Sequence, residues 1–198
     1  MDSSSSSKQG SSDRLLLAAL HLIAERGYNG VTTQEIAAEA GLSEKTLFRH
    51  FGSKQKLLEA AFDKYHYADE MKKLFSEKLV WELEPDLLLV TETYHEIMNR
   101  NRKMIQISLR DDGQLPGFRE RTHKHPLQLL EFLTNYFTLM SDKGKIASAN
   151  PELHAFTFIM MHFGAFMNDL DHRQTYPTIA LEPFIQESVK LFARALRP

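Results

Sequence analysis

Apolar residues recur along this chain at three- and four-residue steps, the spacing of one helix face. Alternating β-branched runs joined by Asn-Gly or Asp-Gly turns are almost absent. The pattern predicts an all-α protein of about nine helices. The first is expected to begin near Asp13, a suitable N-cap, and to present Leu15, Ala18, Ala19, Leu22 and Ile23 before Gly27 stops it. Thr32 and Glu35 have the spacing of a capping box and open a second helix, with Ile36, Ala37 and Ala40 on one face and Gly41 at its end. Ser43 caps a third, which brings Leu47 and Phe51 together. Gly52-Ser53 announces a fourth, running through Leu57, Leu58, Ala61, Phe62 and Tyr65 to about Phe75.

Pro85 suits the first position of the next helix, which carries Leu87, Val90, Tyr94, Ile97 and Met98. A shorter one follows through Met104, Ile107 and Leu109 to the Asp111-Asp112-Gly113 turn. Another is expected from near His125 to Met140, closed by Asp142-Lys143-Gly144. Pro151 opens a helix to about Asp169, Tyr176-Pro177 interrupts, and the last runs from about Leu181 to Leu196. No internal repeat is present.

Composition narrows the classes. The 198 residues, 42% apolar, suffice for a small domain plus a medium one. Formal charge is −2, so attraction to a polyanion must come from a local patch. The absence of cysteine excludes disulfides and thiolate metal sites and suits a cytoplasmic setting. No run approaches the roughly 20 apolar residues that span a bilayer, so no membrane role is expected. Residues 1–12 are serine-rich without an apolar core and read as a disordered tail, not a signal peptide. Residues 13–66 and 67–198 are the expected domains.

Gly41 lies at the centre of the motif that carries function. A helix-turn-helix needs small residues where its helices cross, glycine in the turn, and an apolar residue to pin the second helix. Ala37, Ala40, Gly41, Leu42 and Leu47 meet those needs in order. The second helix then offers Ser43, Glu44, Lys45 and Thr46 at the end that faces base edges in a major groove. Lys45 suits guanine O6/N7, and the Thr46 methyl suits a thymine methyl. Glu44 suits cytosine N4, or equally serves only the positive helix N-terminus. Residues 44–56 hold four cations (Lys45, Arg49, Lys54, Lys56) against one carboxylate, with His50 between them. On spacing alone, a helical hairpin with a solvated basic face remains open.

The run from Thr32 to Ser43 (TTQEIAAEAGLS), followed by Thr46-Leu47-Phe48-Arg49-His50-Phe51-Gly52-Ser53-Lys54, resembles the signature of the TetR (tetracycline-repressor) family. Ala24-Glu25-Arg26-Gly27-Tyr28 is similar to the end of that family's first helix. The likeness covers roughly Arg14 to Leu58; beyond it only helix number and length correspond. It implies a three-helix DNA-binding domain, then a helical ligand-binding and dimerisation domain. It places Thr33, Phe48, His50 and Lys54 at phosphates, and Lys45 and Thr46 near bases. Phe48 stands where the family usually carries a phosphate-bonding tyrosine, and Lys45 where glycine is frequent.

In the second half, two helices carry more than one apolar row. Leu153, Phe156, Met160 and Met167 form one row of the helix from Pro151, with Gly164 allowing close approach. Phe184, Val189, Phe192 and Leu196 come from the last helix. Two rows favour a partner surface, and the resemblance implies a four-helix homodimer interface. Dimers place two recognition helices about 34–36 Å apart, matching a palindromic double-stranded operator. Tyr94, Met98, Met104, Phe118, Phe132, Tyr136, Met140, Phe158, His162 and Phe166 are the aromatic and Met residues expected to line an apolar effector pocket, although such a stripe equally suits plain core. His95 and His162 are its polar anchors, or simply hydrogen-bonded core histidines.

No Gly-rich phosphate loop, nucleophile elbow or His-Glu-x-x-His motif is present, so an enzyme is not expected. His123-x-His125 lacks an acidic cluster, and neither metal nor cofactor is assigned. The expectation is a ligand-responsive regulator, most simply a repressor released by a small molecule. The rival is a helical carrier or interaction module without DNA binding.

Overall fold

The computed structural model describes residues 3–64, 68–111, 118–170 and 179–198, with side chains described for 10–64, 69–110, 126–170 and 179–198. Every regular element among them is an α-helix: α1 Ser3–Arg26, α2 Thr33–Glu39, α3 Glu44–Phe51, α4 Lys54–Lys64, α5 Ala68–Glu77, α6 Leu83–Arg100, α7 Arg102–Asp111, α8 Phe118–Asp142, α9 Pro151–Leu170 and α10 Leu181–Ala195. The all-α expectation holds. Two bounds differ from it. Helix α1 starts at Ser3, so most of the expected tail is helical, because a formed helix extends through serines at small cost per residue. The helix expected from Ser53 to about Phe75 corresponds to α4 and α5, the intervening residues 65–67 lying outside the described residues. Helix α8 starts at Phe118 and therefore holds Pro126 inside it, where proline withholds the amide that would bond four residues back.

The chain forms two compact units. The first comprises residues 1–66 and 101–123, the second 67–100 and 124–198. The segment 101–123 thus belongs with the DNA-binding helices, not with the domain expected from residue 67.

In the first unit, α1 buries Leu15, Ala19 and Ile23 against Ile36 of α2, Leu47 of α3, and Leu57, Leu58 and Ala61 of α4. Ile107 of α7 completes this core at full burial, and Arg110 Nη1 donates to the Glu25 carbonyl oxygen at 3.1 Å. Lys64 and Asp13 form an ion pair between α4 and α1.

In the second unit, α5, α9 and α10 pack on α6. Asp86 is buried in its first turn because it accepts twice: from the Val80 amide at 2.8 Å and from the Tyr136 hydroxyl at 2.9 Å. Burial, then the Asp86 bond and charge, push the Tyr136 hydroxyl pKa far up, so it stays a donor. Trp81 holds a left-handed backbone (φ 62°), which costs a bulky residue about 1–3 kcal/mol. Its neighbours over-determine it. Lys145 Nζ donates to the Trp81 carbonyl oxygen at 2.7 Å, Lys143 Nζ lies 3.6 Å from the indole centroid, and the Tyr136 ring packs at 5.8 Å.

Candidate nucleic-acid interface

The turn between α2 and α3 is set by local bonds. Thr32 Oγ1 accepts from the Glu35 amide at 3.2 Å, and Glu35 Oε2 accepts from the Thr32 amide at 2.8 Å, which is the capping box. Those bonds hold the Glu35 carboxyl below its ordinary pKa, first through the Thr32 backbone amide. Gly41 then takes φ +63°, and the Leu42 amide donates to the Ala37 carbonyl oxygen at 2.8 Å. A Cβ there would have room, its nearest neighbour being Arg14 Nη1 at 3.7 Å, so backbone angle rather than space demands glycine. Ser43 caps α3, accepting from the Thr46 amide at 3.2 Å, and the two hydroxyls lie 2.9 Å apart.

Leu47 is fully buried and pins α3, which leaves the opposite side of that helix in solvent. Lys45 and Arg49 are exposed on it, as is Lys56 on α4, and these three side-chain cations have no partner among the described residues. The Phe48 ring is 46% exposed, an unusual position for an aromatic with nothing to cover it. Thr33 Oγ1 donates to Glu44 Oε1 at 2.5 Å, linking the first residues of α2 and α3. Glu44 therefore braces the motif, beside a helix N-terminus that favours its charge. His50 is half-buried with its ring 6.0 Å from that of Phe51, and its buried Nε2 has no partner among the described residues.

Lys54, expected at a phosphate, is engaged within the unit. Its Nζ donates to the carbonyl oxygens of Tyr28 at 2.6 Å and Val31 at 2.7 Å, and lies 4.1 Å from the Tyr28 ring centroid. The loop from Tyr28 to Val31 turns carbonyls towards the start of α4, and an ammonium with three donors satisfies them. Lys54 thus fastens the α1–α2 loop. Lys56, two residues on in the same basic patch but not singled out for contact, is the exposed cation there. The start of α4 is also capped internally, Ser53 Oγ accepting from the Lys56 amide at 3.1 Å.

Comparison with known proteins decides what this motif belongs to. Residues 15–61 match the family described as bacterial regulatory proteins, tetR family. The transcriptional repressor AcnR of Corynebacterium efficiens is 30% identical over 141 residues, 71% of this chain and 71% of its own. The chain belongs to the tetR family. Within it, the chain is similar over most of its length to YvkB, a helix-turn-helix-type transcriptional regulator of Bacillus subtilis strain 168. The two are 29% identical over 183 residues, 92% of this chain and 95% of YvkB. The crystal structure of AibR in complex with isovaleryl coenzyme A and operator DNA shares the fold. It superposes with a TM-score of 0.67 at 23% identity, covering 91% of this chain and 97% of AibR. This tetR-family protein is a DNA-binding transcriptional regulator, and its relatives are regulators, not enzymes.

The second unit of this regulator holds most of the remaining expected residues. Tyr94, Phe158 and His162 line a cavity with Val90, Thr91, Leu129, Leu133 and Ile159, with room for about one water molecule. Met98, Tyr136, Met140 and Phe166 are buried elsewhere in the core, and Phe132 packs on Phe75 at 5.5 Å. Met104 lies in the first unit, packed against the core of the DNA-binding helices, because the apolar side of α7 faces α1. The side chain of Phe118 lies outside the described residues, as do those of His123 and His125.

Of the two histidines read as polar anchors, His162 lines the cavity and His95 lies next to His162, outside the cavity lining. His95 and His162, 67 positions apart, approach with Nε2 of the first 3.3 Å from Nδ1 of the second, and both are 2% exposed. Burial lowers the pKa of both rings, His95 to about 4 against a smaller upward pull from Asp169, and His162 to about 3 with the help of His95. Both are neutral at pH 7. His95 Nδ1, His162 Nε2 and Thr91 Oγ1 are buried without a partner among the described residues, a condition that costs about 1–3 kcal/mol each. Thr91 and His95 stand four apart on one face of α6, a sequence signal that becomes legible only once His162 is placed opposite.

On α9, Leu153, Phe156 and Met160 are 54%, 49% and 42% exposed, with Gly164 exposed and Met167 half-buried on the same stripe. The α10 row is corrected. Val189 and Leu196 are buried within the chain, and Phe192 packs on Phe158 at 4.9 Å and Phe137 at 6.0 Å. Phe184 is half-buried, its ring 5.7 Å from that of His162, and Leu191 at 65% exposure is the large apolar side chain that faces out. No helix among the described residues is long and apolar enough to cross a membrane.

Proposed function

We propose that the chain is a cytoplasmic repressor that binds a palindromic double-stranded operator as a homodimer and is released by a small, largely apolar molecule. The observation that carries this reading is the outer side of α3. Lys45 and Arg49 are exposed there without partners among the described residues, on a helix whose far side is locked by Leu47. In an otherwise acidic chain, free cations at that end suit base edges and phosphates. AcnR is named a repressor, and AibR was crystallised with both operator DNA and an acyl-coenzyme A. The exposed Leu153–Phe156–Met160 stripe with Leu191 offers a second copy an apolar seat.

Fluorescence anisotropy with palindromes selected from random DNA tests the reading. Wild-type protein is expected to bind with a steep loss of affinity as salt rises. Lys45→Ala should cost about 1–3 kcal/mol and relax discrimination at one base position. Arg49→Ala should weaken all sequences alike. Binding that ignores salt, or survives both substitutions unchanged, would leave a ligand carrier as the better reading.

A further inference from the structure

We propose that Thr91 and the His95–His162 pair form the polar end of the effector site, and that its occupant is an uncharged, mainly apolar molecule bearing a hydroxyl group. This rests on the effector half of the reading above. The rest of the cavity wall is Val90, Leu129, Leu133, Phe158 and Ile159, with the Tyr94 ring beside them, and among the described residues no charged side chain lines it. The occupant is therefore apolar over most of its surface.

Hydrogen-bond bookkeeping selects the head group. In a neutral histidine pair one ring N–H donates across the 3.3 Å gap to the other ring's lone pair. If His95 Nε2 carries that proton, His162 Nε2 is a donor and His95 Nδ1 an acceptor. If His162 Nδ1 carries it, the two outer atoms exchange roles. A hydroxyl both donates and accepts, so it pairs with His162 Nε2 in either arrangement, and Thr91 Oγ1 supplies the complementary partner. A carbonyl fits only one arrangement. A carboxylate brings charge to a wall without a cation, and would have to protonate a ring whose burial strongly resists it. Among the described residues, Asp169 is the charged group that acts on His95, and its sign is wrong for an anion.

Size adds a second condition. Room for about one water accommodates the head group alone, so the apolar body must part side chains such as Phe158 and Leu133. Binding is then linked to repacking between α6, α8 and α9.

The test uses full-length protein and three probes of one shape, 4-propylphenol, propylbenzene and 4-propylbenzoate, titrated by calorimetry at pH 7.5. The phenol is expected to bind about tenfold or more tightly than either analogue, the penalty for leaving buried polar groups unpaired. Its binding should shift the imidazole nitrogen resonances of His95 and His162 while both rings remain neutral. Thr91→Val and His162→Gln, checked for an unchanged melting profile, should each narrow the phenol-to-propylbenzene ratio. Equal binding of phenol and propylbenzene, preference for the benzoate, or no phenol binding overturns the proposal, and the wild-type comparison decides this even if a variant misfolds. Operator binding measured on the same preparation separates the two readings. Discrimination without DNA binding sinks the repressor, and DNA binding without discrimination sinks only the hydroxyl site.

Discussion

The polar caps of the helix-turn-helix bond their near neighbours in the chain, whereas Asp86 and the histidine pair buried in the second unit reach across tens of residues. Thr32 with Glu35 and Ser43 with Thr46 are three positions apart. Asp86 with Tyr136 and His95 with His162 are separated by 50 and 67. The consequence is energetic. A cap lost from the exposed helix-turn-helix is replaced by water at modest cost, while a buried pair has no water to fall back on. The first unit spends its polar groups on holding a shape that is presented outward. The second encloses them and leaves some unsatisfied, which suits a site that something else completes.

The contrast can be strained first at the core. Ile107→Ala removes a fully buried side chain that α7 contributes to the first unit, and should cost about 2–5 kcal/mol in chemical denaturation. Operator affinity should fall only near the unfolding midpoint. A loss confined to the second unit's unfolding would show that the two cores are not separate.

Acid comes next in size. The folded pKa values of His95 and His162 lie below the ordinary 6.5, so folding requires both rings neutral. The unfolded chain takes up protons first, and stability should fall as pH drops below about 6.5, the His95 share flattening near 4 and the His162 share near 3. Each ring contributes up to about 1.4 kcal/mol per pH unit in that window, so the pair loses on the order of 2–4 kcal/mol by pH 5. Denaturation curves of His95→Asn/His162→Gln, which cannot charge, should show a shallower dependence. An equal slope would sink the assignment.

The smallest effect sharpens the local side. Ser43→Ala deletes the α3 cap and should cost about 0.5–2 kcal/mol, with some loss of operator affinity from fraying at Lys45. Thermal melts and anisotropy together read both.

The same contrast explains what the sequence discloses. The caps at Thr32 and Ser43, the glycine turn and the pinning Leu47 are written within a few residues, and the helix-turn-helix was legible from them. The bonds of Lys54 are not legible in the pattern, because its partners are carbonyls of a loop over 20 positions earlier. The place of Met104 is hidden for a similar reason: an amphipathic helix declares that it has an apolar side, not which core receives it. Val189 and Leu196 were distinguished from Leu191 only by the packing direction of α10.

Helix α7 carries one more implication. Because residues 101–123 return to the first unit after a 34-residue excursion through α5 and α6, the DNA-reading part is not a contiguous module. A fragment ending at residue 66 would lack Ile107 and expose the patch on α1 that it covers. Grafting this reader onto another sensor must therefore transplant two separate stretches of chain. Recombination that splices at a single point after α4 would yield a damaged reader, which ties the inheritance of the two units together.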